Sequence, residues 1–501
     1  MSALLSTFRD RFESRKWLSV ALVLGLLLVA YVLPVRLVQQ GVSALLLLAA
    51  LVLAVLVLPR PWLGLALLLA YGPFAAAMRF AGASNLQSLA KDIFALGVVG
   101  VWLVDVLMSR RRLERSPLDV LLVLYCALAA VQMLRAPSLL RGALALKILI
   151  TYVPIYFLVY HNPPRSRRQL QLVLGLVLAV TAVTALYGLY QYFTFSETPS
   201  ATVQIEGQQF YLPIREGQVR VLSTFAHANV FALYLALMIT LAASLLLVSG
   251  RARGALLAVL ALAIGVLPLT LSRMGWIGLA LGLLVLAMLS QRLKWRLILF
   301  ALLVVGLLIL FVWSPQSVRR TLDWSFTGQD VSFTTRSDLL YWAYRMTFVE
   351  LPLGCGLGVL PDSAVLVERI THSVELPYAC FWRGYGVQSA DTVALAIGVQ
   401  MGAIGYLLFA LIHGVILWQG MRLHRRLNDR FLKALAGGLV AYFVVMTFSN
   451  FFSGSTTAYP VVDLYFWFFA GLLLSLGRIE GVWAARSEGQ EGGGNEAVIG
   501  D

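Results

Sequence analysis

Residues 254–290 read GALLAVLALAIGVLPLTLSRMGWIGLALGLLVLAMLS, with one charged residue, Arg273, in the whole stretch. The runs on either side, 254–271 and 274–290, are mostly apolar, and a helix needs roughly 20 such residues to cross the hydrocarbon of a bilayer. The stretch therefore reads as two membrane helices that turn at Ser272-Arg273. The same pattern recurs outward in both directions, at 17–33, 41–58, 62–78, 91–108, 118–134, 143–160, 169–194, 223–249, 296–313, 391–420, 431–452 and 460–477. Several of these are short for a span, so twelve to fourteen helices are expected. Sixty per cent of the residues are hydrophobic and 13% charged, and mean hydropathy is +0.84, far from a soluble domain. The fold class expected is all-α: a polytopic transmembrane helix bundle with a large extracytoplasmic loop carrying a short interfacial helix.

The net charge of +15 does not read as a nucleic-acid footprint, because much of it sits in short loops, where Lys and Arg orient membrane helices. Arg9, Arg11, Arg15 and Lys16 precede the first span. Further clusters are Arg110-Arg111-Arg112, Arg165-Arg167-Arg168, Arg251-Arg253, Arg292-Lys294-Arg296 and Arg422-Arg425-Arg426-Arg430. With fourteen spans, every cluster falls on one side. That side is assigned to the cytoplasm, and both termini with it. The first span has no A-x-A exit and reads as a retained helix rather than a cleaved signal.

The chain divides into a cytoplasmic segment 1–16, helices over 17–194, a first long outer loop 195–222, central helices 223–313, a large outer loop 314–390, final helices 391–477 and a Gly/Glu-rich tail 478–501 expected to be disordered. The large loop is too long to be a mere connector. Within it, residues 336–350 have helical periodicity, with Leu339, Leu340, Trp342, Ala343, Met346 and Val349 on one apolar face. Pro352 stops this helix, and Gly354, Gly356 and Gly358 follow in a turn. Of the three cysteines, Cys355 and Cys380 share the loop, where either a disulfide or two free thiols is chemically allowed.

No P-loop, H-E-x-x-H, CxxC or Asp-x-Asp is present, and five scattered histidines lack metal-ligand spacing. No metal or cofactor is expected. What remains is a set of polar residues at helix mouths. Arg220 opens Arg220-Val-Leu-Ser-Thr-Phe-Ala-His227-Ala-Asn229, and Arg273 follows Ser272. Either arginine could be a solvated or snorkelling anchor. Two of them beside apolar helix ends favour anion binding, because a guanidinium matches phosphate oxygens bidentately and keeps its charge. Asp391 stands at the outer end of the twelfth span, nine residues separate Thr392 from Gly402-Ala-Ile-Gly405, and Asp391 reads either as a helix N-cap or as a functional carboxylate. Gly402 and Gly405 read as close-packing positions.

These stretches resemble, in order, the motifs of the bacterial O-antigen ligase/polymerase superfamily. Arg220 to Asn229 is similar to its Arg-x-x-Gly-Thr-Phe-x-Asn-Pro-Asn, with Ser223 for the glycine. Ser272-Arg273-Met-Gly is similar to its Ser-Arg-Gly/Ala element. Arg336 to Gly358 resembles its Arg/Trp helix followed by a proline and alternating glycines. Ligases of the family carry His where this chain has Asp391, a departure that turns the resemblance toward a polymerase.

The resemblance implies a metal-independent, inverting glycosyltransferase in the bacterial inner membrane, acting on the outer face. It would polymerise polyprenyl-diphosphate-linked oligosaccharide repeat units into a surface polysaccharide, with membrane lipid and a chain-length regulator as partners and no nucleic acid. Arg220 and Arg273 would neutralise the departing diphosphate, Asp391 would act as base, and Arg215, Arg336, Arg345 and Ser272 would help bind substrate. An unperturbed Asp, with a pKa near 3.9, is a weak base at neutrality. A ligase acting on a lipid or protein acceptor is the alternative. A lipid-linked oligosaccharide flippase is the second, although no internal repeat is visible and Lys147 is one of few charges well inside a span.

Overall fold

The computed structural model describes residues 60–76, 85–109, 113–195, 202–205, 208–211, 214–215, 218–250, 252–290, 331–359, 392–452 and 460–492. The spans expected at 17–33, 41–58 and 296–313 lie outside these, as do Asp391 and Cys380. The described chain is a helical bundle. Seven of its helices are long and apolar enough to cross a membrane, and three shorter apolar ones accompany them. This is a multi-pass membrane protein.

The described helices run in the order α1 (Pro61–Tyr71), α2 (Asn85–Met108), α3 (Asp119–Leu134), α4 (Leu139–Ile150), α5 (Val153–His161), α6 (Arg167–Phe195), α7 (Ala228–Leu246), α8 (Arg253–Val266), α9 (Arg273–Leu289), α10 (Val331–Arg345), α11 (Val393–Arg426), α12 (Arg430–Phe452) and α13 (Pro460–Gly492). Between α6 and α7 the loop expected at 195–222 contains two small antiparallel hairpins, Thr202–Ile205 with Gln208–Tyr211 and Ile214–Arg215 with Gln218–Val219. Apolar periodicity carried no sign of them. The span expected at 143–160 is found as one membrane-crossing stretch, Leu139–His161, kinked between α4 and α5. Pro154 has no N–H for the Ile150 carbonyl, and the ladder breaks at Thr151-Tyr152. Pro268 has a milder effect, tightening the end of α8 into a 3-10 turn over Leu267–Thr270.

The core is organised on α7. Every residue of this helix except Asn229 is buried, as expected of a helix wrapped on all sides by others. It packs against α8, α9 and α12. One cluster of charges inside the bundle is paired. Asp92 on α2 bonds Lys91 at 2.8 Å through Oδ1, Lys147 of α4 through Oδ2, and accepts from the Tyr152 hydroxyl at 2.6 Å. Lys147, the intraspan cation that a transport pathway would draw on, is thus an ion-pair partner of a buried carboxylate.

Candidate functional site

The site starts from the turn before α7. Leu222–His227 do not continue the helix upward, as the 223–249 span had suggested; α7 begins only at Ala228. The cause is Ser223, at φ +54°, in the left-handed region that favours glycine. Its backbone is held there by Gln191 of α6, whose Nε2 donates to the Ser223 carbonyl at 2.9 Å and whose Oε1 accepts from its N–H at 2.7 Å. The Ser223 hydroxyl donates to the Thr184 carbonyl at 2.6 Å. The glycine of the resembling motif is therefore a requirement of backbone angle, which serine meets here with three hydrogen bonds. His227 then caps α7, its Nδ1 accepting from Asn229 N at 3.0 Å, in the place where the motif has asparagine.

That turn aims Arg220 at the α8–α9 corner. Val221 N donates to the Leu269 carbonyl at 3.0 Å. Arg220 Nε donates to the Thr270 carbonyl at 3.1 Å, and its Nη2 donates to Asn229 Oδ1 at 2.7 Å. Three residues beyond Thr270, Arg273 is the first residue of α9 and Ser272 its N-cap. Leu271 turns the corner at φ +49°, and Ser272 N donates to Thr270 Oγ1 at 3.3 Å. Gly275 fixes the first turn of α9 against α7, because a Cβ there would lie 2.7 Å from that of Ala232. Arg220 and Ser272-Arg273, more than fifty residues apart in sequence, thus share one corner. A helix N-terminus adds its own positive end to the two guanidiniums.

A second assembly is built around the glycine turn. Helix α10 buries Trp342, Ala343 and Met346 against Leu395, Ala396 and Val399 of α11. Val349, expected on the same face, is exposed. The reason is the π turn over Met346–Glu350, closed by Leu351 N donating to the Met346 carbonyl at 3.0 Å, which widens the helix and rotates later residues. Arg345 Nε is engaged by Glu350 at 3.0 Å. The chain then enters the Pro352–Gly358 turn, with Gly354, Gly356 and Gly358 all at positive φ.

This turn is spliced into α11. Gly402 breaks that helix at φ +75°, ψ −174°, backbone angles that belong essentially to glycine. The Val399 carbonyl, which an unbroken helix would offer to Ala403, accepts from Cys355 N at 2.9 Å. The Gln400 carbonyl accepts from Gly356 N at 3.1 Å, and Ala403 N donates to the Pro352 carbonyl at 2.9 Å. From the other side, Gln132 Nε2 and Arg135 Nη1 of the α3 end donate to the Leu353 carbonyl at 2.7 and 2.8 Å, and Leu357 N donates to the Gln132 carbonyl at 3.0 Å. Gly402 is thus a helix break filled by a loop, not only a close-packing position. Gln132 and Arg135 carried no motif signal in the sequence. Replacing buried Gln132 by leucine is expected to cost about 1–2 kcal/mol, read as a lowered unfolding midpoint of the protein in detergent. An unchanged midpoint would remove Gln132 from the clamp.

The cap of α11 is Thr392, whose side chain accepts from Leu395 N at 3.2 Å. The capping role weighed for Asp391 therefore belongs to its neighbour, and Asp391 itself lies outside the described residues. So do the side chains of Arg215, whose backbone pairs with Gln218 in the hairpin leading to Arg220, and of Arg336 in α10.

Residues 258–410 match the family model described as O-antigen ligase (Wzy_C). The match runs from α8 through the Ser272-Arg273 corner and the glycine turn to beyond the break at Gly402, and leaves Arg220 and Asn229 before it. No curated protein matches the chain. Over residues 258–410 the chain is thus similar to the O-antigen ligase family, which supports the resemblance to the O-antigen ligase/polymerase superfamily carried by the motifs.

Proposed function

We propose that this protein is a membrane glycosyltransferase of the outer face, moving a glycan from polyprenyl diphosphate onto the sugar of another lipid-linked repeat unit. The domain supports membrane glycan ligation or polymerisation at the level of the family. The observation that carries the finer reading is the shared corner, where Arg220 is held at the Thr270 carbonyl beside Arg273 at the start of α9.

In this mechanism the acceptor hydroxyl attacks the anomeric carbon from the face opposite the diphosphate. The new carbon–oxygen bond forms as the bond to the phosphate oxygen breaks, and the electron pair leaves with the polyprenyl diphosphate. The leaving group is already a stable anion, so it calls for charge neutralisation at fixed positions, which costs no reorganisation when the groups are prealigned. Arg220 is prealigned by its bonds to Thr270 and Asn229. The hydroxyl proton passes to Asp391, one residue ahead of the α11 cap. Replacing Asp391 by asparagine is expected to abolish turnover while sparing binding of the lipid diphosphate. Full turnover by that variant would reject the base.

The ligase reading is favoured by the description of the family domain and keeps the same donor with a different acceptor. Purified protein in detergent, given lipid-linked repeats alone, discriminates between them. Longer glycans support the polymerase, whereas transfer only when a lipid or protein acceptor is added supports the ligase. No transfer under either condition would overturn both.

A further inference from the structure

A cavity of about 750 Å³ opens at the end of the bundle opposite the arginine corner. Its position follows from α6. Gln169 lines the cavity, and Gln191 on the same helix holds Ser223. Twenty-two residues at 1.5 Å each separate them by about 33 Å, the thickness of a hydrocarbon core. The cavity thus lies on the face where the Arg-rich loops gather, and it takes no part in the transfer mechanism.

Its lining has two characters. Among the described residues, Arg60, Arg165 and Arg478 supply three cations against one carboxylate, Glu114. Arg478 is fixed in place, with Nη1 donating to the Tyr160 carbonyl at 3.1 Å, Nη2 paired with Glu114 and its guanidinium 4.9 Å from the centre of the Tyr160 ring. Arg60 and Arg165 are exposed. The remaining wall is apolar and aromatic apart from His161, Asn162 and Gln169. Trp62 is anchored by its Nε1 donating to the Asn162 carbonyl at 2.9 Å, and Trp102 stacks on His161 with centroids 6.2 Å apart. Val106, Leu113 and Val482 complete the apolar side.

We propose that this cavity binds the phosphate headgroup of an anionic phospholipid in the leaflet opposite the arginine corner. A phosphate ester satisfies the excess positive charge, and basic pockets between membrane helices on the cytoplasmic side suit such groups. A free phosphate would satisfy the arginines equally but would leave the apolar wall without a partner. An acyl chain leaving along Val106 and Val482 covers that wall, and the two tryptophans lie where indole rings gather at a membrane–water boundary. The volume is that of an ordinary small-ligand site.

The test uses the full chain reconstituted in nanodiscs of phosphatidylcholine mixed with phosphatidylglycerol, released into detergent and weighed intact. Wild-type protein is expected to retain phosphatidylglycerol over phosphatidylcholine. The double variant Arg60→Gln, Arg165→Gln is expected to lose that preference by about tenfold or more, with an unchanged unfolding midpoint because both side chains are exposed. Arg60→Lys with Arg165→Lys should recover most of it, and Arg165→Gln alone should fall between. Equal retention of the two lipids by wild type would overturn the proposal, as would a preference that survives the double variant. Inorganic phosphate that binds and displaces the lipid would show a free-anion site instead, and would equally overturn it.

Discussion

Arg273→Ala is expected to abolish chain extension, lowering transfer by roughly 10²–10³-fold, while the protein still inserts and folds. The size follows from where the side chain stands. As the first residue of α9 it adds a full charge to the positive end of a helix, beside a guanidinium already held by Thr270 and Asn229. In the proposed reaction the charge that develops on the departing diphosphate appears only as the bond breaks, so losing Arg273 would weigh on the rate more than on binding of the ground state. Fold retention is expected because the corner itself is held by other groups: Val221 on Leu269, Ser272 on Thr270 and Gly275 on Ala232. Arg273→Lys should recover part of the rate, since it restores the charge without the planar fork. The measurement is polymer length in cells carrying each variant, together with the amount of protein in the membrane fraction. Normal polymer length with Arg273→Ala would reject the role, and loss of the protein from the membrane would show a structural role in its place.

Gly402→Ala should be the most damaging single methyl group in the described chain. A Cβ there would lie 2.2 Å from the Pro352 carbonyl oxygen and 2.6 Å from the Leu353 carbonyl carbon, both backbone atoms that cannot turn aside. The backbone angles at Gly402 alone cost an alanine about 1–3 kcal/mol. Expelling the glycine turn would also strip the partners from the Val399 and Gln400 carbonyls, at about 1–3 kcal/mol for each buried group left unpaired. A loss of about 3 kcal/mol or more is expected, read as a large fall in unfolding midpoint and faster hydrogen exchange at the Cys355 and Gly356 amides. Gly414→Ala is the control in the same helix. Nothing lies within 4 Å of its added Cβ, so it should be neutral or stabilise by up to about 1 kcal/mol through helix propensity. Equal behaviour of the two variants would remove the splice from the account of α11.

Hydropathy made the bundle legible, because a membrane span is written in a run of adjacent residues. The motif order made the superfamily legible for the same reason. What sequence could not supply were contacts between distant segments. Nothing near Arg220 says that its Nε will meet the carbonyl of Thr270, nor does Gln132 signal that it will hold Leu353. Local signals were also partly misassigned. The span at 143–160 is legible as one crossing, but the kink that Pro154 puts into it is not. Ser223 hides a left-handed turn behind an ordinary residue type, and the π turn that exposes Val349 leaves no mark on apolar spacing. Gly402 looked like a packing glycine because only the incoming loop reveals why a side chain is forbidden.

The splice at Gly402 has a consequence for biogenesis. The Pro352–Gly358 segment is synthesised before α11, and must wait for the half-helix Val393–Met401 that receives it. Until the two meet, the Val399 and Gln400 carbonyls face a low-dielectric surrounding without the amides of Cys355 and Gly356. Maturation of this protein therefore closes on a stitching event between an earlier loop and a later helix, and a folding assay that follows insertion alone would score molecules as finished before their last seam is sewn.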